Sequence, residues 1–136
     1  MPHLIVEYST NLESVVDVAS LVSAIHQAAL QTGIAPIDAL RTRAEPRSIY
    51  RIGDGHSDSA FVSVAARLGA GRTPEQKHRF LAAVLEATEA VLGTNAANVM
   101  LSVEYQEIDP EFRINKNNAR DAINARQVAN EAPPAA

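Results

Sequence analysis

The chain contains no cysteine and no tryptophan, and aromatic residues make up only 4 % of its 136 residues. Without thiols there is no disulfide framework, no thiolate nucleophile and no Cys-ligated zinc or iron–sulfur site, which fits a reducing compartment. With so few aromatics the core has to be built from Ala, Val, Leu and Ile, with three Phe and three Tyr as its large pieces. Apolar residues reach 46 %, enough for one small domain. No run approaches the roughly 20 consecutive apolar residues of a membrane helix. The start, Met1-Pro2-His3-Leu4-Ile5-Val6-Glu7, lacks the charged leader and cleavage site of a signal peptide, so a cytoplasmic protein with no membrane partner is expected. Positive charge is also short. A net charge of −4 argues against nucleic acid as a partner. Neither G-x-x-x-x-G-K-[ST] nor G-x-S-x-G occurs, and His3, His26, His56 and His78 form no ligand pair, so no metal site is expected.

What is present is a repeated pattern. His3–Tyr8 is apolar and β-branched and reads as a strand. From Ser14 to Thr32, Val18, Leu21, Val22, Ile25, Ala28 and Ala29 recur at helical spacing, with Gly33 and Pro36 as the stop. Ile37–Arg43 reads as a short strand that sets Ala39, Arg41 and Arg43 on one face, and residues 46–57 read as a loop or small hairpin. Asp58–Leu68 is a long strand with Ala60, Val62, Val64, Ala66 and Leu68 on one face. After the turn Gly69-Ala70-Gly71-Arg72, Thr73, Pro74 and Gln76 form a capping-box start for a helix to Leu92, with Gly93 beyond its end. Asn98–Ile108 is a third long strand, and Asn118–Arg126 a short terminal helix. The Ala/Pro-rich residues 127–136 are expected to be a disordered tail outside a domain of residues 1–126.

Two β-α-β units with right-handed crossovers give an α+β fold: a four-stranded mixed sheet with two helices on one face. The strands look apolar on both faces, as in Leu4-Ile5-Val6 and Val99-Met100-Leu101. A monomer rarely exposes so large an apolar patch, so a homo-oligomer covering the open face is expected.

Two features could carry chemistry. Removal of Met1 would leave Pro2 with a secondary amine, which can act as a base if burial or nearby cations hold it neutral near pH 7. A proline at position two is also commonplace, so this residue alone leaves function open. The second feature is that ten of the twelve basic residues are arginine. The planar guanidinium pairs bidentately with carboxylates and so suits an organic acid. Base composition alone can also enrich arginine, which makes position the test. Arg41 sits on a strand and Arg72 in a glycine turn before a helix N-terminus, whereas Arg43, Arg47, Arg51 and Arg67 read as surface or interface charges. Lys116-Asn117-Asn118 could touch a ligand, with helix capping by the asparagines as the plainer use.

Met1-Pro2-His3-Leu4-Ile5-Val6-Glu7-Tyr8-Ser9, Leu40-Arg41-Thr42-Arg43, Gly53-Asp54-Gly55, Ala60-Phe61-Val62, Leu68-Gly69-Ala70-Gly71-Arg72 and Asn115-Lys116-Asn117-Asn118 together resemble the 5-carboxymethyl-2-hydroxymuconate isomerase family of the tautomerase superfamily. The resemblance spans about residues 1 to 126. It implies a homotrimer whose sheets face inward, acting in homoprotocatechuate degradation. It further implies conversion of a carboxylate-bearing dienol to its conjugated 2-oxo-3-ene isomer without a cofactor. Pro2 would carry the proton, and Arg41 and Arg72 would hold the substrate carboxylates and polarise the developing 2-oxo group. The connection 44–51 is aromatic-rich in the family and bears Arg and Pro here, which bears on specificity. Two other functions fit the same elements: a tautomerase of another unsaturated 2-oxo acid, and a non-enzymatic ferredoxin-like ligand-binding or oligomerisation module.

Overall fold

The computed structural model describes residues 2–131. Its elements follow the order β1 (His3–Ser9), α1 (Val18–Gln31), β2 (Arg41–Arg47), β3 (Ala60–Gly69), α2 (Pro74–Leu92), β4 (Val99–Ile108) and α3 (Arg120–Glu131). The sheet order is β2-β1-β3-β4, with β1–β2 and β3–β4 parallel and the central pair β1–β3 antiparallel. Each half is thus a β-α-β crossover, and the halves meet back to back along β1 and β3.

Alternation places the core. Leu4, Val6 and Tyr8 of β1 and Ala60, Val62, Val64, Ala66 and Leu68 of β3 are buried, and they pack against Leu21, Ile25 and Ala29 of α1 and Phe80, Val84 and Leu92 of α2. The start of α2 follows the capping-box expectation: Thr73 Oγ1 accepts from the Gln76 amide at 3.2 Å, and Gln76 Oε1 accepts from the Thr73 amide at 2.9 Å. Thr88, the one buried polar residue of α2, returns its hydroxyl to the Val84 carbonyl at 2.8 Å. None of the described helices is long and apolar enough to cross a membrane.

Several boundaries differ from the sequence expectation. The first helix starts at Val18 rather than Ser14, because Thr10–Ser14 forms a tight 3-10 turn that buries Leu12. Asn11 Nδ2 pins that turn by donating to the Ser59 carbonyl at 2.7 Å. The second strand begins at Arg41, since the amides of Ala39 and Leu40 both donate to the Pro36 carbonyl in a turn. Arg41 and Arg43 do share a face; Ala39 lies outside the strand. At its other end β2 continues through Pro46 to Arg47, which a sheet edge tolerates because the missing N–H costs no interior ladder bond. The terminal helix starts at Arg120 and runs through residues 127–131 of the expected tail; residues 132–136 lie outside the described residues.

The sheet face away from the helices is less apolar than expected. Ile5, Phe61, Ala65 and Met100 lie there, but so do His3, Glu7, Arg41, Arg43, Arg67, Ser63, Ser102 and Glu104. Arg47 binds Glu7 and Glu45 at 2.8 Å each, and Ser102 donates to Ser63 at 3.1 Å. The sequence Leu4-Ile5-Val6 looked two-faced only because a single residue, Ile5, breaks the pattern of its neighbours His3 and Glu7.

Candidate active site

One end of the sheet gathers Pro2, Arg41 and the turn that carries Arg72. Pro2 is buried at the entry to β1, and its carbonyl accepts from the Arg41 amide at 3.2 Å, so the starts of β1 and β2 are locked side by side. On the other flank His3 pairs with Arg67. Continuing that antiparallel register by one residue sets Pro2 beside Leu68, at the mouth of the Gly69–Arg72 turn. A short N-terminal strand between two neighbours fixes the Pro2 backbone far better than a free terminus would be fixed.

Arg72 is held by two carbonyls. Its Nη1 donates to Gly69 at 2.9 Å and its Nη2 to Ile34 at 3.1 Å, tying the end of β3 to the loop after α1. A guanidinium has five N–H donors, so these two carbonyls leave three. Gly71, at φ +112°, gives the turn a conformation that side chains rarely adopt. Beside Arg72 lies Tyr105 of β4, packed edge-on against Phe80 with ring centroids 6.4 Å apart and with Lys77 5.5 Å from its ring centre. Lys77 is itself paired with Glu107. Burial raises the Tyr105 phenol above its ordinary pKa, while Arg72 and Lys77 pull it partly back.

The field at this end is strongly positive. His3 is pushed down to about 4, first by burial and then by Arg41, Arg43 and Arg67, and Arg43 donates to its Nδ1 at 3.2 Å. Two of the arginines read from sequence as surface charges, Arg43 and Arg67, therefore belong to the electrostatics of this end. The other two do not: Arg47 is spent on Glu7 and Glu45, and Arg51 on the Asp54 carbonyl at 3.3 Å.

Next to Arg41 opens a cavity of about 340 Å³, lined by Asp38, Leu40, Arg41, Lys116, Asn117 and Asn118 among others. Asn117 does not occupy the N-cap position of α3: its Oδ1 accepts from the Ala119 amide at 3.2 Å in the turn that leads into the helix, and its Nδ2 donates to the Asp38 carbonyl at 2.7 Å. Asp38 further binds Arg120 at 3.3 Å and Asn124 at 3.2 Å, which docks α3 against the approach to β2. The sequence offered ligand contact or helix capping for these asparagines; the tie to Asp38, which closes a cavity beside Arg41, has no local signal.

The model of the 5-carboxymethyl-2-hydroxymuconate isomerase family matches residues 2–123. The chain belongs to this family. It is 30 % identical over 124 residues to the 5-carboxymethyl-2-hydroxymuconate Delta-isomerase of Escherichia coli, covering 87 % of this chain and 95 % of that one. A solved 5-carboxymethyl-2-hydroxymuconate isomerase from Deinococcus radiodurans R1 superposes with a TM-score of 0.80 at 30 % identity, over 93 % of both chains. A native fused 4-OT, at 23 % identity and a TM-score of 0.61 over 90 % of this chain and 98 % of that one, shares the fold. This member of the family is accordingly an isomerase with the tautomerase fold.

Proposed function

We propose that this isomerase converts the dienol 5-carboxymethyl-2-hydroxymuconate to its conjugated 2-oxo-3-ene isomer, in homoprotocatechuate degradation, with Pro2 as the proton carrier once Met1 has been removed. The observation that carries the reading is the meeting of Pro2, Arg41 and Arg72 at one end of the sheet, where burial first, and then the positive field of the neighbouring arginines, lowers His3 well below its ordinary value. The same field disfavours a charged prolyl ammonium, which leaves the amine free to accept a proton near neutral pH.

The neutral amine takes the 2-hydroxyl proton. The O–H electron pair becomes the C2=O bond, the C2=C3 pair moves to C3=C4, and the C4=C5 pair takes the proton at C5 from the prolyl ammonium. Charge moves onto the C2 oxygen in the transition state, where the free N–H groups of Arg72 stabilise it. Arg41 holds a carboxylate beside its cavity. The proton lost from the 2-hydroxyl is balanced by the one delivered to C5, so this relay needs no oxidant, reductant or group carrier. For the assembly we propose a homotrimer. The mixed polar and apolar open face offers the contact surface, and solved relatives of this fold include a fused 4-OT described as a symmetric trimer.

The test is the decay of the dienol ultraviolet absorbance with mature protein, whose Met1 removal is verified by mass, beside Pro2→Ala and a form with an uncleaved N-terminal extension. General acid–base catalysis of this kind is worth about 10²- to 10⁴-fold, and both altered proteins are expected to lose about that much. Equal rates in all three would refute the proline mechanism. A mature protein no faster than buffer would refute the substrate and direct the screen to other unsaturated 2-oxo acids.

A further inference from the structure

The segment between β4 and α3 crosses the end of the sheet where Pro2 lies. At one side its residue Arg113 packs over Gly69, so closely that a Cβ at Gly69 would meet Nη2 at 3.0 Å. At the other side Asn117 is fastened to the Asp38 carbonyl, on the approach to β2. β1 stands between β3 and β2, so the four steps along the chain from Arg113 to Asn117 pass the start of β1. The crossing spans two inter-strand gaps, about 10 Å, and four extended steps cover about 13 Å.

Arg113 carries an unmet demand. Its Nη1 is buried and has no hydrogen-bond partner among the described residues, and no carboxylate of the described residues pairs with it. A buried donor of a charged group left unpaired is costly, and the cost is relieved when an anion arrives. Arg72 meets the same glycine from its carbonyl side, at 2.9 Å. Two guanidinium groups thus converge on Gly69, one residue beyond the Leu68 that stands beside Pro2, and Arg41 begins the strand on the other flank of β1. A substrate with one carboxylate needs no more than one such fork; a substrate with several can engage all three.

We infer that Arg113 is a third anion-binding arginine of this site, that it holds a carboxylate remote from the reacting C2 oxygen, and that it sets a preference for polycarboxylate over monocarboxylate dienols. The inference rests on the Pro2-centred reading above and deepens it.

The experiment compares kcat/KM for 5-carboxymethyl-2-hydroxymuconate with that for 2-hydroxy-2,4-pentadienoate, which carries a single carboxylate, in the mature full chain and in Arg113→Gln, Arg113→Lys and Gly69→Ala. In Gly69→Ala the new methyl lands on the far end of the flexible Arg113 side chain and displaces it. Gly69 does not occupy the left-handed region, so the backbone accepts the change. The ratio of the two kcat/KM values is expected to fall about 10- to 100-fold in Arg113→Gln and in Gly69→Ala, as loss of a charge-assisted hydrogen bond predicts. The change should appear mainly in KM, with partial recovery in Arg113→Lys. If Arg113 merely anchors the crossing segment, both substrates suffer alike and the unchanged ratio overturns the inference. Should Arg113→Gln fail to fold, Gly69→Ala and Arg113→Lys decide the matter by the same ratio. Pro2→Ala run in parallel separates the failures: an active Pro2→Ala refutes the underlying mechanism, whereas an inactive one with an unchanged ratio refutes only the role of Arg113.

Discussion

Replacing Arg72 with lysine keeps the charge and removes the fork, and the structure says what that should do. Arg72 satisfies the Gly69 and Ile34 carbonyls at 2.9 and 3.1 Å with two of its five donors. A lysine ammonium has three donors on one nitrogen, so it cannot bridge two separated carbonyls and still present a planar face to a substrate. Loss of one or both carbonyl bonds from this half-buried guanidinium costs about 1–3 kcal/mol. For a domain of this size that lowers Tm by roughly 3–10 °C. If Arg72 also stabilises the developing C2 oxygen, kcat should fall a further 10²- to 10³-fold, the range for removal of one preorganised donor. Thermal unfolding and the dienol absorbance assay at saturating substrate, run at a temperature well below either transition, separate the two effects. A stable, folded Arg72→Lys protein with kcat within about threefold of the parent would show that Arg72 is a tie between β3 and the loop after α1 and nothing more.

Two further outcomes follow from the same geometry. His3 is held at about 4 against an ordinary value of 6.5, so in the interval between those values the unfolded chain binds a proton that the folded chain refuses. Stability should therefore be complete above pH 6.5 and decline as the pH falls toward 4. The full shift caps the loss at about 3 kcal/mol, and partial exposure to solvent reduces it to about 1–2 kcal/mol. Denaturant titrations at pH 7 and pH 4.5 should show a smaller difference in His3→Gln than in the parent; an identical difference would mean that other groups carry the pH dependence. Thr73→Ala removes the side-chain half of the capping box and should cost about 1 kcal/mol, with Thr73→Ser close to the parent. Equal unfolding midpoints for Thr73→Ala and the parent would show that Pro74 and the packing of Phe80 hold the start of α2 unaided.

The sequence by itself determined whatever depends on neighbours along the chain. The capping box of Thr73 and Gln76, the alternation from Ala60 to Leu68 and the helix-ending Gly33 and Gly93 are local, because hydrogen bonds within a turn and period-two alternation involve residues a few positions apart. From these the duplicated β-α-β order and the face that the helices cover follow directly. The resemblance in Pro2, Arg41 and Arg72 named a chemistry, since its motifs are likewise short. Tertiary structure decided where strands stop and what their ends touch. β2 runs through Pro46 because it lies at an edge, a position no local pattern specifies. The open face is half charged because registers such as His3 with Arg41 and Arg67 bring together residues 38 and 64 positions apart. Arg113 lies over Gly69 because the segment after β4 crosses the sheet end, where the absent side chain of a glycine leaves room for it. Contacts between residues so distant in sequence form only once the whole sheet is assembled, and the positive field that would tune Pro2 is a property of that assembly.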